Sequence, residues 1–206
     1  KKFGFKNKMV WHADAELPKS DLVVLPGGFS YGDYLRCGSM ASKSKIIKSV
    51  ISYAKSGGLL LGICNGFQIL TETELLPGAL LRNKHSEFIC KNIFVKINNV
   101  KNNYFNSIKK STLELHIAHN EGNYFCSNDQ IKEIKDNDQI GLYYCSNKGE
   151  IDDKYNPNGS KNNIAGLFNK EKNILGMMPH PERMIDEYLS GEDGSIFFEN
   201  LVNNLK

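Results

Sequence analysis

Arginine is scarce in this 206-residue chain: only three residues are arginine, against 23 lysines. Clustered arginines would be the usual sign of a phosphate-binding surface, because each guanidinium can hold phosphate with two hydrogen bonds. The net charge is also small, at +3, so the composition does not indicate a nucleic-acid-binding protein. A hydrophobic content of 40% is enough to build a core and argues against a mainly disordered chain.

No apolar run is long enough to cross a membrane as a helix. The most apolar stretch, residues 57–70, is interrupted by Gly62, Asn65 and Gly66, and it falls short of the roughly 20 apolar residues that a bilayer requires. A basic-then-apolar secretory leader does not open the sequence. The five cysteines are odd in number and form no Cys-x-x-Cys pair, which predicts a reducing, cytoplasmic environment without a disulfide framework.

Strands alternate with helices in the first half of the sequence. Residues 21–25 and 59–63 are short apolar runs typical of buried strands, and residues 42–55 have the apolar spacing of an amphipathic helix. This order predicts one α/β domain over residues 1–206, with a mainly parallel central sheet and helices on both faces. An additional section of strands, some antiparallel, is predicted at residues 88–100, 113–117, 140–144, 164–168 and 174–178, followed by a helix at 194–205.

The sharpest local motif is LLLGICNGFQ, residues 59–68. A buried strand runs into Gly-x-Cys-x-Gly and then into a helix, which is the nucleophile-elbow pattern with Cys64 at its tip. Gly62 and Gly66 are expected where neighbouring chain segments approach too closely for a side chain. The start of the following helix is expected to lower the pKa of the Cys64 thiol, and the N–H of Asn65 could stabilise an oxyanion. The simpler interpretation is a buried structural cysteine.

A thiolate nucleophile needs a base, and the base needs an orienting group. MMPHPER, residues 177–183, offers both directly after a predicted strand. His180 and Glu182 are two residues apart, so on an extended segment their side chains would point the same way. Strand ends are where open α/β sheets place their ligand sites, and the sequence therefore predicts a catalytic triad of Cys64, His180 and Glu182.

A third segment, LPGGFSYGDYLR at residues 25–36, follows the first predicted strand. Backbone N–H groups at Gly28 and Phe29 are candidates for a second oxyanion donor. An ordinary glycine-rich turn is the plainer alternative. The segment is no Walker-type phosphate loop, because the Gly-Lys-Ser/Thr ending is missing. His116 and His119, three residues apart and close to Glu121, would suit a metal site, but no further ligands are evident and no metal is predicted.

These motifs together resemble the class I, triad-type glutamine amidotransferases. The similarity is closest to one family among them, the glutaminase subunits of phosphoribosylformylglycinamidine synthase, from purine biosynthesis. It extends over the chain from Trp11 onward, and GGFSYGDYLR and IAHNEG are its most specific parts. The motifs that carry the similarity are GGFSYGDYLR, GICNGFQIL, LLPGALLRN, IAHNEGNY, YNPNGSKNNIAG and MMPHPER.

The resemblance implies a flavodoxin-like fold and an enzyme that hydrolyses glutamine through a glutamyl thioester on Cys64. His180 would serve as acid and base, oriented by Glu182, while Gly27 and Gln68 would bind the substrate. Gly28 or Phe29 would form the oxyanion hole with Asn65. Ammonia would pass to a separate synthetase subunit that uses ATP and magnesium, with a small third subunit bridging the two. No cofactor is implied for this chain itself, nor contact with nucleic acid or membrane.

The sequence departs from the family pattern in two places. Members usually begin with a central strand, a loop and a helix that do not appear here, so the first strand of the sheet is expected to be missing. Asn120 and Asn123 stand where Gly and a basic residue are expected. Two alternatives remain open: another amidotransferase or cysteine hydrolase of the same fold, and a non-catalytic module that has kept the fold. Glutamine turnover would separate them.

Overall fold

A computed structural model describes residues 2–98, 101–189 and 191–205. Nine strands and four α-helices are found in these ranges. The strands are β1 Leu22–Leu25, β2 Leu59–Ile63, β3 Ala79–Leu81, β4 Ile89–Ile97, β5 Thr112–His119, β6 Asn123–Phe125, β7 Ile140–Cys145, β8 Ile164–Phe168 and β9 Ile174–Met177. The helices are α1 Lys45–Lys55, α2 Asn65–Glu72, α3 Asn128–Asp136 and α4 Asp193–Asn204.

Seven strands form one sheet in the order β1-β2-β9-β8-β7-β4-β5, and β3 pairs with β6 in a separate two-stranded sheet. The α/β class predicted from the sequence is confirmed. Pairing is parallel between β1, β2 and β9 and antiparallel across the rest of the large sheet. The antiparallel section is therefore larger than the sequence suggested. The short segment 169–173 joins β8 to β9 and allows only antiparallel pairing, because parallel pairing needs a long crossover.

Helices pack on both faces of the sheet. On one face, the ring of Phe67 in α2 packs over Gly176 of β9. A Cβ atom at Gly176 would lie 2.2 Å from this ring, so the glycine leaves the room that the ring needs. On the opposite face, Phe168 of β8 lies 5.9 Å from the ring of Phe105, and Phe105 lies 5.7 Å from the ring of Phe197 in α4. Burial of these aromatic rings helps to hold the helices against the two faces of the sheet.

Most predicted elements agree with the structure to within a few residues, and three short ones were missed. The helix predicted at residues 42–55 begins at Lys45, after a short 3₁₀ turn at Ala41–Lys43. The strand predicted at 88–100 is found, but its last two residues lie outside the described ranges. Helix α3 has a capping box between Ser127 and Gln130, a signal that the sequence carries. Strands β3 and β6 have three residues each, too few for an alternating pattern.

The topology places the ends of β2 and β9 side by side. Gly62 is paired with Gly176 and Ile63 with Met177 in parallel register, and the N–H of Cys64 donates to the carbonyl of Met177 at 2.7 Å. The segment after β2 and the segment after β9 therefore leave the sheet at the same edge. No helix in the described residues has the length and apolar character needed to span a bilayer.

Candidate active site

Cys64 occupies a strained backbone turn between β2 and α2, with φ 50° and ψ −103°. Such a conformation is costly for a residue with a side chain and is found mainly where function requires it. The close approaches expected at the flanking glycines are confirmed. A Cβ atom at Gly66 would lie 2.0 Å from the carbonyl oxygen of Leu25, and one at Gly62 would lie 2.5 Å from a methyl group of Leu70.

The thiol of Cys64 is buried, with 5% of the residue exposed. Burial raises its pKa to about 12, while the backbone N–H of Asn65 acts in the opposite direction. The sequence predicted a lowered pKa, and that prediction is wrong for this structure, because the loss of hydration outweighs the helix N-terminus. The nearest hydrogen-bond partner of the sulfur is the carbonyl oxygen of Ala118, at 3.8 Å.

His180 and Glu182 form a close pair after β9. His180 Nδ1 lies 2.5 Å from Glu182 Oε1, and because a carboxylate can only accept, Nδ1 carries the proton. The sequence placed the two residues on an extended segment. In the structure Glu182 instead belongs to a 3₁₀ turn over Pro181–Arg183, which proline at its first position favours. The pair therefore meets across a turn.

Gly27 lies between the cysteine and the histidine. A Cβ atom built on it would be 2.6 Å from Cε1 of His180 and 3.6 Å from Cβ of Cys64. The absence of a side chain at Gly27 thus allows the two residues to approach each other. Nε2 of His180 is buried without a hydrogen-bond partner, so the base nitrogen is available beside the elbow.

The loop after β1 lies over this centre and is tied to the start of α2. The N–H of Ser30 donates to Oδ1 of Asn65 at 3.3 Å. Gly28 has φ +150° with open space on its side-chain position, and Phe29 is 62% exposed. Tyr31 (φ 55°) and Asp33 (φ 53°) are in the left-handed region, where side chains are strained. The structure places this glycine-rich segment next to Asn65.

Gln68 bridges two parts of the site. Its Oε1 accepts from Nδ2 of Asn65 at 2.8 Å, and its Nε2 donates to the carbonyl oxygen of Glu121 at 2.7 Å. Both ends of this buried side chain are therefore engaged by the protein. Through Gln68 the start of α2 is linked to the segment that follows β5.

Comparisons with known proteins show which family this chain resembles. Residues 3–192 match the family model of the CobB/CobQ-like glutamine amidotransferase domain. The chain is 74% identical, over all of its length and 91% of the relative's, to the phosphoribosylformylglycinamidine synthase subunit PurQ of Pelagibacter ubique. The PurQ subunit of Gloeobacter violaceus is 47% identical, over 95% of this chain and 84% of its own.

The chain belongs to the PurQ family of glutamine amidotransferases. A solved structure, that of PurLQS from Thermotoga maritima, superposes with a TM-score of 0.81 at 40% identity, covering 94% of this chain and 84% of that one. The amidotransferase fold predicted from the sequence motifs is confirmed by this match.

One residue of the candidate site, Asn83, was not predicted from the sequence. Asn83 is buried and makes four hydrogen bonds: its Oδ1 accepts from Nδ1 of His119 and from the N–H of Gly122, and its Nδ2 donates to the carbonyls of Glu87 and His119. Asn83 thereby clamps the turn after β5. Asn83 ends the motif LLPGALLRN, but nothing local in this motif marks an asparagine that holds a turn 36 residues away.

Four buried side-chain atoms of the described residues have no hydrogen-bond partner, and all four border this centre: Ser30 Oγ, Asp33 Oδ1, His119 Nε2 and His180 Nε2. Buried polar atoms are normally paired, so such a concentration indicates a place that takes a polar ligand. Burial lowers the pKa of His119 to about 4 and raises that of Asp33.

His116 and His119, the two histidines of the possible metal site, have different hydrogen-bond partners. His116 lies by Asn92 and Cys90 on the outer face of β5, whereas His119 lies by Asn83 in the interior. In the part of the chain that the structure describes, no three His, Cys, Asp or Glu side chains are grouped as metal ligands.

Proposed function

We propose that this chain hydrolyses the side-chain amide of glutamine by nucleophilic catalysis at Cys64. The observation that carries the proposal is the strained Cys64 turn next to His180, whose Nδ1 is held by Glu182 and whose Nε2 is buried without a partner. Strain at a thiol beside an oriented base is the arrangement that acyl transfer requires.

The first half-reaction forms a thioester. Cys64 Sγ attacks the amide carbon of glutamine, and Nε2 of His180 takes the thiol proton. Glu182 stabilises the imidazolium through Nδ1 and keeps the ring in one orientation. The N–H of Asn65, with that of Gly28 or Phe29, stabilises the oxyanion. His180 then protonates the departing ammonia, which leaves the glutamyl thioester.

The second half-reaction releases glutamate. His180 removes a proton from water, the resulting hydroxide attacks the thioester carbon, and the proton returns to the sulfur of Cys64. We place Gly27 and Gln68 at the glutamine pocket. Gly27 leaves space between Cys64 and His180, and Gln68 lines the pocket while its hydrogen bond holds Asn65 in place. Burial raises the pKa of the Cys64 thiol, and we therefore assign to His180 the removal of the thiol proton as the sulfur attacks.

Ammonia is then used by a second subunit. The name PurLQS, borne by the solved relative, describes an assembly of several subunits. We propose that this chain works in a phosphoribosylformylglycinamidine synthase of that kind, with a synthetase subunit that consumes ATP with magnesium and a small bridging subunit. The reaction is a cytoplasmic step of purine biosynthesis.

Glutamate release from glutamine tests this proposal. It is measured for the chain alone and with the synthetase and bridging subunits, ATP, magnesium and formylglycinamide ribonucleotide. Turnover that requires the full mixture and is lost in Cys64→Ala supports both the chemistry and the pathway. Turnover retained in Cys64→Ala, or stimulated equally when the ribonucleotide is omitted, would contradict it.

A further inference from the structure

A second cysteine–histidine pair lies on the outer face of the β4–β5 hairpin. Antiparallel pairing sets Asn92 opposite His116 and Cys90 opposite Ala118. Cys90, Asn92 and His116 therefore point to the same face of the sheet, while the residues that alternate with them, such as Leu115, are buried. Sγ of Cys90 lies 3.4 Å from Nε2 of His116.

A chain of hydrogen bonds determines which nitrogen of His116 faces the thiol. The carboxylate of Glu114 only accepts, so it receives Nδ2 of Asn92, at 3.2 Å. This turns Oδ1 of Asn92 toward Nδ1 of His116, at 2.9 Å, and Nδ1 must carry the proton. Nε2 is then an unprotonated acceptor, and the thiol of Cys90 is its donor.

The surroundings of His116 favour the neutral form of its ring. Burial, and then electrostatic interaction with Arg183 and His180, lower its pKa, whereas Glu182 acts in the opposite direction. The ring is therefore neutral at pH 7 and able to take a proton from sulfur. A nucleophile, a base and an orienting amide in this order are a recurring constellation for thiol chemistry.

We propose that Cys90 is a modification site, activated by His116 and oriented through Asn92, that forms mixed disulfides with low-molecular-weight disulfide compounds. Sγ of Cys90 attacks one sulfur of the disulfide as Nε2 of His116 takes the thiol proton. The sulfur–sulfur bond of the reagent breaks, and the departing thiolate receives the proton from His116. One protein thiol and one disulfide thus become one mixed disulfide and one free thiol, with no other oxidant.

Accessibility separates Cys90 from the remaining cysteines. Cys90 is exposed, and the other four are buried, so a peptide-sized disulfide can reach only this thiol in the folded chain. No side chain of the proposed triad takes part in the relay. The two sites are nevertheless neighbours, because the N–H of His180 donates to the carbonyl of His116 at 2.8 Å.

Peptide mapping with oxidised glutathione tests the proposal. The native chain is incubated with the reagent at pH 7, free thiols are trapped, and the tryptic digest is analysed by mass spectrometry. Each cysteine falls in a different tryptic peptide, and residues 85–91 contain Cys90 alone. A thiol is already a few per cent thiolate at pH 7, which limits activation, so we expect Cys90 to react about tenfold faster in the folded chain than in urea.

Two variants and one control make the result specific. His116→Ala removes the base and should reduce the folded rate about tenfold, and Asn92→Ala, which releases the ring, should reduce it by a smaller factor. His85→Ala removes an exposed histidine from the same region and should leave the rate unchanged. Rates measured in urea should be equal for all four proteins, which separates activation from intrinsic thiol reactivity.

Two results would overturn the proposal. One is a Cys90 rate in the folded chain no higher than in urea. The other is a wild-type rate in His116→Ala whose circular dichroism spectrum shows a folded chain. If His116→Ala does not fold, Asn92→Ala decides, and a wild-type rate in that variant contradicts the relay.

Discussion

Cys64 and Cys90 lie on two sides of strand β5 and differ in almost every physical respect. The sulfur of Cys64 is buried against the carbonyl of Ala118, in a strained turn, with a raised pKa. Cys90 lies on a regular strand, exposed, with the His116 ring 3.4 Å away. Both thiols have a histidine nearby, but the interior one depends on a buried polar network and the surface one on a short relay. Burial restricts the access of solvent reagents to the first thiol, whereas the second is exposed to them.

The largest effect should come from exchanging one thiol for a hydroxyl. Cys64→Ser should reduce glutamate release in the full complex by at least about a thousandfold, because the nucleophile is lost. Cys90→Ser should leave it within twofold. The assay is glutamate release per mole of complex. A comparable loss in both variants would erase the distinction between a catalytic and a surface thiol.

Acid should destabilise the interior site through His119. The pKa of this histidine is lowered from 6.5 to about 4. Between these two pH values the unfolded chain binds a proton that the folded chain does not bind. Stability is therefore lost as the pH falls from 6.5 to about 4, by about 3 kcal/mol in total. Urea unfolding of wild type and His119→Asn at several pH values should show a smaller acid loss in the variant. Asparagine keeps a donor near the Nδ1 position.

The control for this prediction is His85→Asn, at an exposed position. It should retain the full acid loss of the wild-type chain. Equal acid losses in His119→Asn and wild type would mean that the interior histidine is not held neutral by burial.

A methyl group at Gly27 should separate the catalytic pair. The added Cβ would meet Cε1 of His180 at 2.6 Å, and a displacement of about 1 Å in a catalytic group costs about a hundredfold in rate. We expect Gly27→Ala to lower kcat by about that factor. Gly57→Ala is the control, because a Cβ there meets nothing within 4 Å, so only stability should change. Wild-type kcat in Gly27→Ala would show that the two residues do not need this approach.

The smallest expected difference is in the free energy of unfolding, between variants at Asn83 and Asn92. Asn83→Ala leaves buried donors and acceptors of the turn after β5 without partners, which should lower the free energy of unfolding by about 2 kcal/mol. Asn92→Ala, on the exposed relay, should lower it by less than about 0.5 kcal/mol. Urea denaturation measures both. Equal losses of unfolding free energy in the two variants would contradict the view that only the interior site is stabilised by a buried hydrogen-bond network.

Much of the amidotransferase site was open to prediction because its signals are local. The Gly-x-Cys-x-Gly elbow, the short buried strands and the His-x-Glu pair each occupy a few consecutive residues. The capping box of α3 is equally local and could have been used. Asn83 and the shape of the His180–Glu182 turn could not, since the first depends on a contact across the fold and the second on how Pro181 directs the chain after β9.

The sequence by itself determined which residues could carry the chemistry: glycines where chain segments must approach, a cysteine between strand and helix, and a histidine with a carboxylate two residues on. Tertiary structure alone decided that β2 and β9 end side by side, that burial overrides the helix N-terminus at Cys64, and that Asn92 and His116 are paired across two strands. Strand register and solvent exclusion arise from packing among distant segments. Short apolar runs indicate that a strand will be buried, but they do not specify its neighbours, because the same local motif can be paired in many ways.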